Sequence, residues 1–175
     1  MSTSDRLLLF LHIGFAIFTL GPLTAATHST PRYIRKRNAS VVRYLHRTTQ
    51  IYGIGALGIF LFGLLLAEGD LAEVWLSASM TLFIVALVLL LIVDRDQRKA
   101  VHLLEAAAAK KPEPAAAAKA EDGETTEAKD EKQAAKPAAA PEGDIAQVER
   151  GRIAALSGVV SLIWLVILVL MVWNG

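Results

Sequence analysis

The chain contains no cysteine, so thiolate catalysis, disulfides and cysteine-held metal clusters are excluded. Charge is missing from most of its length. Of 35 charged side chains, 24 lie between Asp94 and Arg152 and six between Arg32 and Arg47, which leaves only five elsewhere. A sequence that segregates charge in this way has too little polar side chain to cover its apolar stretches with an ordinary aqueous surface. There is also no P-loop, no zinc-ligand spacing and no Ser-His-Asp arrangement. The apolar stretches hold no acidic residue and no lysine, which argues against a proton-coupled transporter.

What remains is four apolar runs, Leu7–Ala26, Ile51–Ala67, Val74–Val93 and Ile153–Trp173. A helix needs about 20 apolar residues to cross a hydrocarbon core roughly 30 Å thick. The second run has 17 residues, but the pattern from Val41 to Tyr52 extends it, with Arg43 and Arg47 snorkelling toward headgroups. Backbone polar groups in lipid must pair within their own segment, and no strand-like alternation is present. The expected fold is all-α, a four-transmembrane-helix bundle: three spans within residues 1–105, a linker over 106–143, and the fourth span within 144–175.

Lys and Arg set the expected orientation. The first connection carries Arg32, Arg35, Lys36, Arg37, Arg43 and Arg47; the second carries Glu68, Asp70 and Glu73 and no base; the third begins with Arg95, Arg98 and Lys99 and ends with Arg150 and Arg152. The first and third loops are therefore expected in the cytoplasm and both termini outside a bacterial cell membrane. Thr24-Ala25-Ala26 resembles a signal-peptide cleavage site, but Asp5 beside Arg6 is a poor cationic start, and cleavage would send six positive charges outward.

The linker is built from Ala, Lys, Glu and Pro, with 15 alanines and four of the six prolines in its 38 residues. It has almost nothing to bury and reads as a long disordered cytoplasmic loop. Val101, Leu104 and Ala108 can continue the third helix past the membrane, and Asp144, Ile145 and Val148 can lead into the fourth, forming a short stalk.

Gly53-Ile54-Gly55-Ala56-Leu57-Gly58 spells a dinucleotide fingerprint, but no strand precedes it and it lies inside a span. Close helix packing is the physical reading, with Gly21, Ala25, Ser157 and Ser161 suited to the same purpose. His12 is the one ionisable side chain of the first span, about 7–8 Å below its outer edge. Met80 falls at a similar depth on the third helix, near Ser77, Ser79 and Thr81, and Met171 near the outer end of the fourth. A histidine with methionine neighbours suits haem iron or copper(I); a neutral histidine bonded to a hydroxyl, with methionine filling gaps, is the alternative. Arg32, Arg43, His46 and Arg47, with His28 and Gln50 nearby, could hold an anionic lipid headgroup or a propionate-bearing ligand; topology alone also explains the arginines. Asp94-Arg95-Asp96 reads as the solvated end of the third helix, pairing with Arg98 and Lys99, or as a weak metal site. His102 reads as exposed. Nucleic acid is not an expected partner, because the basic loop lies against the membrane face.

The segments Leu11-His12-Ile13-Gly14-Phe15-Ala16, Leu20-Gly21-Pro22, Thr30-Pro31-Arg32-Tyr33 and Leu45-His46-Arg47 resemble a group of uncharacterised bacterial integral membrane proteins. That group is placed beside CopD-like copper proteins and HemJ-like protoporphyrinogen oxidases. The resemblance covers about the first 65 residues and implies that His12 is a haem- or metal-related histidine. Two functions are expected from these readings. One is a non-enzymatic membrane protein, structural or accessory, whose partners are membrane lipids and other membrane proteins. The other is a haem- or copper-linked redox protein using His12 and Met80. A small transporter would need a polar cavity in the bundle.

Overall fold

Ser2 opens the first helix. Its hydroxyl accepts from the Asp5 N–H while the Asp5 carboxylate accepts from the Ser2 N–H, a capping box with an acid in the first turn. In this computed structural model residues 2–67, 72–110 and 145–174 are described. Helix α1 runs Thr3–Arg35, α2 Ala39–Leu66, α3 Val74–Lys110 and α4 Gln147–Asn174, and all four are long and apolar enough to cross a membrane. The protein is a multi-pass integral membrane protein with an all-α fold.

Each helix packs antiparallel to its sequence neighbour and α4 returns to α1, which leaves α1 and α3 on one diagonal. At 1.5 Å per residue, α1 is about 50 Å long and α3 about 55 Å. Both overhang a hydrocarbon core of roughly 30 Å. The overhang is at the arginine-bearing end, where the helices run on past the apolar stretches. The first basic connection shrinks to Lys36–Asn38, and Thr30-Pro31-Arg32-Tyr33 is helical. The helix persists because Thr27, Thr30 and Ile34 form a buried stripe while Arg32 and Arg35 point outward. A Schellman closure ends it: the Arg37 N–H donates to Ile34 at 2.9 Å and the Asn38 N–H to Tyr33 at 3.1 Å. Arg37 takes the left-handed position, φ 53°, usually given to glycine, and the Asn38 side chain then caps α2.

Helix α3 continues from Val93 to Lys110, as expected of Val101, Leu104 and Ala108, and takes in residues 106–110 of the linker range; residues 111–144 lie outside the described part. The expected stalk is therefore a four-helix extension. It is filled by Ile34, Val42, Val93, Ala100, Val101, Leu104 and Ile153. Where this end meets water, each large side chain so buried contributes about 1.5–3 kcal/mol. Inside the membrane that driving force is absent and packing must hold the helices. There Leu23, Ile59, Phe83, Leu90, Val160 and Ile163 form the core, and Phe83 meets Trp164 edge-on at 4.9 Å.

The glycine motif divides sharply. A Cβ on Gly58 would stand 2.6 Å from the Phe15 ring and one on Gly55 3.1 Å from Thr19 Oγ1, whereas Gly53 has open space. Gly63, outside the motif, is the next contact along the same seam, with His12 Cε1 2.9 Å from where its Cβ would be. Thus α1 lies on a glycine groove of α2. Gly21 and Ala25, expected at a seam, face outward instead, while Ser157 is buried on α4.

Candidate functional site

Two places concentrate chemistry, one at each end of the bundle. At the end that carries the chain termini, His12 lies against Gly63 and its Nδ1–H donates to the Ile59 carbonyl at 2.9 Å. The missing Cβ at Gly63 is what lets the ring approach α2 so closely. That bond fixes the tautomer and leaves Nε2 as a lone-pair donor, the arrangement by which a metal-binding histidine is usually oriented. His12 lines a cavity of about 130 Å³, and Met80, Met171, Ser79 and Trp164 share its wall. The Ser79 hydroxyl donates to its own helix at Trp75, 2.8 Å away. The Trp164 indole N–H has no hydrogen-bond partner among the described residues.

The structure therefore brings His12 and Met80 to one cavity and adds Met171 from α4. His12 offers one imidazole nitrogen to this space, and Met80 and Met171 line it with thioethers, a donor set of the soft-metal type. Among the described residues no three histidine, aspartate or glutamate side chains cluster to hold a metal.

At the arginine-bearing end a polar layer crosses the bundle. Asp96 is fully buried, with Arg152 Nε 3.3 Å and Arg95 Nε 3.7 Å from its two oxygens. Gln97 is buried beside it and donates to Thr30 Oγ1 at 2.8 Å, and Thr30 in turn donates to the Ala26 carbonyl at 2.8 Å. His46 Nδ1 stands 3.1 Å from Asp94 Oδ1, and Arg43 pairs with Glu105. This corrects the reading of Asp94-Arg95-Asp96 as a solvated helix end: the layer links α3 to α1, α2 and α4.

The four residues expected to form one anionic site do not converge. Arg43 and His46 reach across to carboxylates of α3, Arg32 is turned toward α4, and Arg47 is exposed on α2. His28 is exposed and donates to the Thr24 carbonyl at 3.1 Å; His102 is exposed as expected. Residue type alone misses Gln97 and Asp96. The sequence carries their signal, since Val93, Asp96, Gln97, Ala100, Val101 and Leu104 keep helical spacing on one face.

Compared with known proteins, the chain matches no family model, no curated protein and no solved structure.

Proposed function

We propose that the protein is an accessory membrane component that docks by the outer face of α1 onto a transmembrane helix of another membrane protein. One observation carries this reading. Gly14 and Gly21 have nothing within 4 Å of where a Cβ would stand, and Ala25 is exposed, so these three small residues of α1 are not spent inside the bundle. Their spacing of seven and four residues keeps them on one face. Phe10, Leu11, Phe15 and Phe18 wall a groove of about 300 Å³ over Gly14. Small residues flanked by large ones are what close helix approach in lipid requires. Both termini lie outside a bacterial inner membrane in this reading, because the basic residues gather at the opposite end.

A photocrosslinking residue at Phe18, in native membranes, is expected to give one discrete protein adduct that Gly21→Leu abolishes. The same probe at Leu165, on the lipid-facing side of α4, should give none. Adducts with lipid alone at both positions overturn the docking reading.

A second reading is favoured by the His12 geometry. The fixed tautomer, Met80 and Met171 support a copper(I) site in which His12 Nε2 and the two thioethers would be the ligands. Bound there, copper would supply one-electron chemistry. Metal analysis and an optical spectrum of gently purified protein test it: about one copper per chain, lost in His12→Ala, supports the site, and a metal-free preparation unchanged by that substitution counts against it.

A further inference from the structure

The cavity that His12 lines has walls of two kinds. Phe60, Phe83 and Trp164 bring rings to it, and Met80 and Met171 bring thioethers. The rings touch in sequence: Phe60 is tilted against Phe83 at 5.5 Å between centroids, and Trp164 meets Phe83 edge-on at 4.9 Å. Aromatic edges and polarisable sulfur both favour contact with a further ring. His12 adds one polar atom. Its Nδ1–H is committed to the Ile59 carbonyl at 2.9 Å, so Nε2 can only accept. A ligand that bonds to it must bring the proton.

Size and access narrow the ligand further. The space measures about 130 Å³. An engineered apolar cavity of about 150 Å³ admits benzene, so a single aromatic ring is the scale of the occupant. A bare ion would leave most of that room empty, and unfilled interior space forfeits packing contacts. The wall also reaches the bilayer side, since Leu168 lines the cavity and is 57% exposed on α4. An occupant can thus arrive from the lipid and leave a hydrocarbon tail there.

We propose that this cavity binds the hydroquinone headgroup of a membrane-soluble quinol. One phenolic O–H donates to His12 Nε2, and the ring packs among Phe83, Trp164 and the two thioethers. The site prefers quinol to quinone, because a quinone carbonyl is itself an acceptor and cannot bond a nitrogen that only accepts. This binding goes beyond the docking reading and does not depend on it. It gives to a quinol the nitrogen that the copper reading gives to the metal, and the test separates the two.

The test is native mass spectrometry of the full, chelator-treated chain in detergent, titrated under argon with decylhydroquinone, decylquinone or decylbenzene. One decylhydroquinone per chain is expected, bound about tenfold more tightly than either of the others. His12→Phe, which keeps a ring and removes the acceptor, should bring decylhydroquinone down to the level of decylquinone. Ala16→Leu, which fills the cavity from α1 and leaves His12 in place, should weaken all three by about tenfold. Circular dichroism checks that each variant is folded, and the comparison of the three ligands on the unaltered chain stands without them. No binding of decylhydroquinone, or equal binding of all three ligands, overturns the proposal. Undiminished binding to folded Ala16→Leu places the ligand elsewhere and overturns the site. Binding that appears only after copper is added assigns Nε2 to the metal and overturns the quinol.

Discussion

Replacing Gly58 and Gly53 by alanine, one at a time, separates a packing seam from a nucleotide fingerprint. A Cβ at Gly58 would lie 2.6 Å from Phe15 Cδ1 and Cε1, whereas unstrained carbon contacts fall at about 3.5–4.0 Å. The ring must therefore retreat by about 1 Å. Retreat disturbs a second contact, because the ring lies tilted against Phe62 of α2 with centroids 5.2 Å apart. Overpacking of this kind costs about 1–3 kcal/mol. Alanine also gains about 1 kcal/mol over glycine in a helix, but Gly53→Ala gains the same, with open space around the new methyl. The propensity terms cancel in the comparison, so Gly58→Ala should be less stable than Gly53→Ala by about 1–3 kcal/mol. Gly55→Ala should fall between, since Thr19 Oγ1 at 3.1 Å needs to yield only a few tenths of an ångström. Unfolding by denaturing detergent, followed by tryptophan fluorescence, measures the series, and Phe15→Leu should rescue Gly58→Ala. Equal stability of the Gly53 and Gly58 variants would refute the seam.

Three further outcomes are expected. Arg152→Gln should destabilise by about 3 kcal/mol, because it strips the buried Asp96 carboxylate of its nearest cation, whereas Asp96→Asn should cost much less, since Arg152 can turn to water; chemical denaturation compares them, and the reverse order would count against a buried ion pair. Thr30→Val should cost about 1–3 kcal/mol and Gln97→Leu a similar amount, with the double variant losing less than the sum; strict additivity in that cycle would mean the 2.8 Å bond does not hold in solution. For topology, the absence of native cysteine lets Ser40→Cys, exposed on the first turn of α2, report alone: it should resist a membrane-impermeant thiol reagent in intact cells and react after permeabilisation, and labelling from outside would invert the orientation.

The four spans were legible because lipid enforces a simple rule of length and polarity on each segment independently. Helix ends were not, because an apolar run stops where charge begins while a helix stops where its hydrogen bonds do. Arg32 and Arg35 ended the run in α1, yet Thr27, Thr30 and Ile34 carried the buried stripe to a closure that lacks the usual glycine. The meeting of His12 and Met80 followed from counting depth inward from the same end of two helices that run parallel. Gly63, the residue that seats the histidine, carried no such sign, since whether a glycine is a seat or a gap depends on what lies across the seam. Gly53 and Gly58 make that point within one motif. The anionic site was read from charge density alone, which could not tell which arginines the carboxylates of α3 had already claimed.

The buried Asp96 has a consequence for how α4 finds its height. In the sequence this helix is separated from α3 by residues 111–146. Against smooth apolar neighbours in lipid, sliding by one turn, about 5.4 Å, exchanges one set of aliphatic contacts for another of similar worth. The Asp96–Arg152 contact breaks that degeneracy. Displacement by a turn would strip a fully buried carboxylate of its nearest counter-ion. The pair acts as an index mark, and Met171, 19 positions along from Arg152, is carried by it to the His12 cavity at the far end of the same rod.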